Sequence, residues 1–135
     1  MSIHIKQSKH FDEECGTLNS DVIHYVPCKI YHEGEANVTK YFKTSIKKDE
    51  NKGLEASLRG YPLKGTTVDL PKGYKGLILE ENGKWIEGNE RTLHVKNKFN
   101  SLTYWNWDKV PTKDDAFLSA LDWIEIAEAV HSPID

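Results

Sequence analysis

Short runs of alternating apolar and polar residues fill the chain from Asp21 to about Thr103. Val22, His24, Val26, Cys28 and Ile30 share one side of a first candidate strand. Val38, Lys40, Phe42 and Thr44 share one side of a second, with Tyr41 opposite. Leu54, Ala56 and Leu58 alternate with Glu55, Ser57 and Arg59, and Leu77–Glu80, Leu93 and Val95 continue the series. A period of two buries one strand face and leaves the other to solvent. Gly60, Pro62 and Gly65 interrupt the chain before residues 66–70, and Pro71-Lys72-Gly73 interrupts it again. Asn82-Gly83 between two apolar runs predicts a type I′ hairpin, since both residues tolerate positive φ. Roughly eight strands at this spacing predict a mainly β, barrel-like or sandwich domain over residues 21–111.

The aromatic run 99–107 departs from simple alternation. Leu102, Tyr104 and Asn106 take one side, and Thr103, Trp105 and Trp107 the other. Both sides carry large apolar groups and want cover, but a small protein has one core. The second face is therefore expected to meet a partner chain, with Tyr104, Trp105 and Trp107 as candidate contacts.

Helix is expected only in the tail, residues 112–135. Thr112 or Asp114 can cap its start after Pro111, and Asp115 favours the helix dipole. Phe117, Leu118 and Leu121 form one apolar stripe; Trp123, Ile126, Ala127 and Val130 form another that points elsewhere. Asp122-Trp-Ile-Glu125 has capping-box spacing, so two short helices hinged near Asp122 are expected, closed by Pro133. Residues 1–20, interrupted by Asp12-Glu13-Glu14 and Gly16, read as a flexible lead-in.

Composition narrows the picture. A length of 135 residues suits one domain. The net charge of −3 offers no global attraction for nucleic acid. It is uneven: residues 1–107 carry 16 basic and 14 acidic groups, residues 108–135 only 2 and 7. Such asymmetry guides association more than fold. Cys15 and Cys28 make no framework of the secreted type, no apolar run approaches a membrane span, and the N-terminus lacks a secretory pattern. A cytosolic or nuclear protein that does not enter the membrane is expected.

Chemistry is sparse. His24, Cys28 and His32 are evenly spaced, but Pro27 opposes a helix. On a strand such residues sit about 13 Å apart, too far for one zinc ion. Glu80-Glu81 and Asp114-Asp115 have structural causes at a hairpin and a helix start. No phosphate-binding Gly-rich loop or nucleophile elbow is present. Tyr104, Trp105 and Trp107 with Lys96, Lys98 and Lys109 could stack and neutralise a single nucleic-acid strand. The acidic tail beside them favours a protein interface instead. Arg59, ahead of Gly60, reads as a surface residue, a fixed ion pair or a phosphate contact.

Four ordered stretches carry a family resemblance: Val22-Ile-His-Tyr-Val-Pro27-Cys28; Gly53-Leu54-Glu55 through Arg59-Gly60 to Gly65; Leu102-Thr-Tyr-Trp105 through Val110-Pro111; and Ala120-Leu121-Asp-Trp123 with Ala127–His131. Together they resemble the small non-catalytic (C-type) subunit of eukaryotic type-2 ribonuclease H, ribonuclease H2, over about residues 20–132. The chain departs from that pattern at Tyr61, often basic in the family, and at Ile124, often proline. The resemblance implies a heterotrimer in which this chain and the other non-catalytic (B-type) subunit interweave into a triple barrel. It implies that a separate catalytic (A-type) subunit, with acidic residues and Mg²⁺, cleaves RNA in RNA–DNA hybrids and removes ribonucleotides embedded in DNA. This chain would then hold no cofactor, act in the nucleus, and dock the catalytic subunit through Trp123, Ile126 and Val130. The alternatives are an autonomous single-strand-binding β-barrel or, more remotely, a stand-alone hydrolase.

Overall fold

The computed structural model of the chain describes residues 2–7, 17–50, 53–81, 83 and 86–134. In order these form β1 (Ile3–Lys6), β2 (Thr17–Leu18), β3 (His24–Tyr25), α1 (Val38–Tyr41), a 3₁₀ turn (Lys43–Ser45) and β4 (Lys47–Lys48). There follow β5 (Leu54–Leu58), β6 (Tyr61–Asp69), β7 (Gly76–Glu80), β8 (Arg91–Phe99), β9 (Ser101–Trp107) and α2 (Ala116–His131).

The strands make two open sheets rather than the expected barrel. One is a five-stranded sheet ordered β3-β9-β6-β5-β4, in which β3 runs parallel to β9 and the rest are antiparallel. The other is built on β8: β7 pairs antiparallel along one edge, and β1 and β2 pair parallel along the other. Asn100 lies between β8 and β9, carrying the chain from one sheet to the other, and its carbonyl accepts the Leu70 N–H at 2.9 Å.

The β9 sheet owns the core. Leu54, Ala56 and Leu58 face inward while Glu55 and Ser57 stay exposed, as the alternation predicts. Phe42, Ala56, Leu63 and Trp105 are buried together, with Val26, Ile46, Leu54 and Leu58 packed around them. Gly65 stands opposite Trp105 across β6 and β9, and a Cβ there would lie 2.5 Å from the indole. Only glycine lets that ring lie flat on the neighbouring strand.

Several local expectations change. Residues 38–44 form α1 and the start of the 3₁₀ turn instead of a strand, which delivers Phe42 onto the core from outside the sheet. A helix of four residues is too short for its periodicity to be told from alternation. The first candidate strand shrinks to His24–Tyr25. β6 runs straight through Pro62 and Gly65. Pro62 is tolerated because the β9 ladder ends at Leu63–Trp107, where the missing N–H costs little; its carbonyl still accepts the Asp108 N–H at 3.0 Å. The chain turns instead at Arg59-Gly60, both at positive φ (52° and 82°), in a two-residue loop between Leu58 and Tyr61.

Part of the lead-in is also strand: β1 and β2 satisfy an edge of β8. Asn82 lies outside the described residues. The antiparallel partner of β7 is β8, with Glu80 opposite His94, so the connection is longer than a two-residue hairpin. Arg91 donates twice to Glu81, at 3.0 and 2.7 Å, and so ties that connection to the start of β8.

The tail is one helix, not two. Nothing between Ala116 and His131 breaks an α-helix, and continuing the ladder costs less than nucleating a second one. Its cap position is Asp115, whose carbonyl accepts the Ser119 N–H at 2.8 Å.

Candidate partner-binding surfaces

Two of the candidate interface aromatics lie inside the chain. The Trp105 side chain is 0% exposed, and its indole N–H donates to Nδ1 of His24 at 3.0 Å. An indole nitrogen can only donate, so the other His24 nitrogen carries the proton and gives it to the Asp21 carbonyl at 2.8 Å. Burial holds this imidazole below its ordinary range, and the Lys43 charge adds to the effect, against the opposing influence of Asp21. His24 is thus a half-buried, neutral residue at the edge of the core, stacked near Trp105 and edge-on to Phe42.

Tyr104 is buried on the opposite face, against this chain's own helix. The Phe117 ring stacks on Tyr104 at 5.3 Å and on Tyr25 at 4.6 Å. Burial raises the Tyr104 phenol above its usual range, and the Asp115 charge does so further. Asp115 pins the helix start to β9: its carboxylate accepts from the Thr112 N–H at 3.1 Å and from Asn106 at 2.6 Å, which keeps it ionised at lower pH.

The remaining candidates are exposed. Trp107 shows 43% of its surface and donates its indole N–H to the Pro27 carbonyl at 2.8 Å. On α2, Phe117, Leu118, Leu121 and Ile124 point one way and are partly covered. Trp123, Ile126 and Val130 lie on the opposite side, with Trp123 62% exposed. A helix with apolar residues on two sides needs two surfaces to cover it. Arg59 stands exposed at the β5–β6 turn and has no ion pair among the described residues.

Sequence reasoning missed a further such surface. No described residue of the β8 sheet is buried. Ile3 and Ile5 are each 57% exposed, and Leu77 and Leu79 are exposed on the opposite edge strand. The alternation Ile3-His4-Ile5-Lys6 carries the signal for β1. No group of three or more His, Cys, Asp or Glu among the described residues is arranged to hold a metal ion. No described helix is long and apolar enough to cross a membrane.

In class, the described residues make two open β-sheets, a short helix and a long C-terminal one, with a core under one sheet only and apolar surface left on the other. Comparison with known proteins makes the class specific. The sequence model of a family described as "Ribonuclease H2 non-catalytic subunit (Ylr154p-like)" matches residues 22–92 and 80–130, and the chain belongs to that family. It is 26% identical over 136 residues to the C-type ribonuclease H2 subunit of Mus musculus, covering 83% of this chain and 81% of that protein. The Bos taurus protein of the same name is 26% identical over 135 residues, with coverage of 83% and 81%. An uncharacterised protein of Schizosaccharomyces pombe is 30% identical over 129 residues, with coverage of 87% and 88%.

Proposed function

We propose that this chain is a structural subunit of a heterotrimeric ribonuclease H2. In that assembly it pairs with the B-type subunit, docks the catalytic subunit, and itself contributes no catalytic group. The complex degrades the RNA strand of RNA–DNA hybrids and removes ribonucleotides embedded in DNA, using carboxylates and Mg²⁺ held by the catalytic subunit, and works in the nucleus. One observation carries the reading: the β8 sheet has apolar residues on both edge strands and no buried residue among those described. Exposed sheet of this kind is a liability for a solitary protein and a template for strand pairing with another chain. Completion by the B-type subunit would close these open edges into the interwoven triple barrel.

The outward stripe of α2 suits the second partner. Trp123, Ile126 and Val130 are flanked by Asp122, Glu125 and Glu128, so a basic surface with an apolar centre is the complement. Native mass spectrometry of the chain purified from its source tests the reading. A complex of three different chains is expected, and a monodisperse monomer would contradict it. Replacing the outward residues, as Trp123→Ala with Val130→Ala, is expected to weaken capture of the catalytic chain while leaving the B-type subunit bound, because Phe117 keeps its place on Tyr104.

A further inference from the structure

An open groove lies at the turn end of the β9 sheet, between the segment after Cys28 and the β5–β6 hairpin. Its lining includes the cations Lys29 and Arg59 and the rings of Tyr31, Tyr61 and Trp107, and it contains no carboxylate. That lining is net positive on a chain with a net charge of −3, with Asp108 the carboxylate in the neighbouring recess that Tyr61 and Trp107 also line. The rings are unusually open for residues of their size: Tyr31 is 93% exposed and Tyr61 64%. Trp107 is held in place by its bond to the Pro27 carbonyl, with the Tyr61 ring edge-on at 5.6 Å. The two-residue turn, both residues at positive φ, carries Arg59 into the lining.

We infer that this groove binds single-stranded nucleic acid, with bases on the exposed aromatic faces and phosphates on Lys29 and Arg59. Aromatic planes beside cations accept unpaired bases of any sequence, because every base has a face to stack. A duplex keeps its base faces to itself, and an acidic peptide would use the charges but not the rings. The inference rests on the heterotrimer reading for the source of the strand, which is a single-stranded stretch next to the hybrid. It keeps Trp107 in the stacking role and puts Tyr31 and Tyr61 in place of Tyr104 and Trp105, which are buried.

The test uses the assembled complex and labelled oligo(dT) and oligo(rU), followed by fluorescence anisotropy across a KCl series. Replacing both cations, as Lys29→Gln with Arg59→Asn, is expected to make the slope of log K against log[salt] shallower by about 1.4, two single-strand phosphate contacts' worth. Asn is chosen because it tolerates the left-handed backbone of residue 59. Tyr61→Ala is expected to weaken binding about tenfold at constant salt. Equal losses on the two oligonucleotides support a site blind to the sugar; a loss on one alone supports that strand type as the ligand. Unchanged binding by either variant overturns the inference, as does loss of a partner chain from the variant complex, which would make the groove a protein interface. Native mass spectrometry of the same samples separates the two readings. An intact complex with no oligonucleotide effect removes the groove alone, whereas failure of the wild-type chain to assemble removes the structural role in the heterotrimer.

Discussion

Gly65 and Gly76 occupy matching positions in the two sheets, each opposite an aromatic residue on the next strand, Trp105 and Phe99. At both, a Cβ would collide with the ring. The rings then differ. Trp105 is enclosed by Phe42 and His24 and hydrogen-bonded through its nitrogen, whereas Phe99 remains partly exposed in a sheet with no buried residue among those described. The β9 sheet has recruited α1, the 3₁₀ turn and α2 to cover its faces, and the β8 sheet has recruited nothing from the described chain. One local motif thus yields a finished core in one place and an unfinished surface in the other. What differs is the supply of covering residues, which is what an assembly partner would provide.

The sharpest way to break this comparison is at the finished core. Trp105→Ala removes the largest enclosed side chain and leaves Nδ1 of His24 without its donor. A loss of about 3–5 kcal/mol is expected in denaturant melts of the assembled protein. A cost below about 1 kcal/mol would show the core to be elsewhere.

The paired glycines sharpen it further. Gly65→Ala forces a Cβ against a ring that cannot move, and about 1–3 kcal/mol of overpacking is expected. Gly76→Ala should cost less, because the more exposed Phe99 can swing aside. Equal melting losses would mean that the two rings are equally confined and the contrast between the sheets is false.

The His24 network adds a pH signature to the β9 sheet. Its folded pKa is lowered from 6.5, so the unfolded chain takes up the proton first. The associated stability is fully present above 6.5 and is lost as pH falls below it toward the folded value. Melting temperature should therefore decline over that interval, and His24→Gln should flatten this part of the profile. An unchanged slope in the variant would assign the decline to another group.

Ile5→Asp is expected to have the smallest effect on folding, within about 0.5 kcal/mol, because Ile5 is already 57% exposed in the chain alone. Its effect should appear instead as loss of the B-type subunit in pull-downs. A large drop in the stability of the chain itself would mean that β1 belongs to an interior.

How much of this could be read in the sequence follows the same division. The alternation of Leu54, Ala56 and Leu58 announces a strand because one face meets the chain's own core. The two-sided aromatic pattern of residues 102–105 was legible as a doubly covered strand, but the cover could not be assigned, since Phe117 arrives from a helix ten or more residues on. Phe42 is buried and Tyr41 exposed although the element is a helical turn, because neighbouring residues point in different directions in a helical turn and in a strand alike. The open barrel has a different cause. Closure depends on how strands pair over long range, and in this chain the β8 sheet keeps free edges that its own described residues do not fill.

Hydrogen exchange tests the central claim most directly, by comparing the chain alone with the chain bound to its co-purified partners. Amides of β6 and β9 should be protected in both states, and those of β1, β7 and β8 should exchange fast alone and slowly in the complex. Equal protection of β1, β7 and β8 in the two states would contradict the claim, because the β8 sheet would then be complete without a partner.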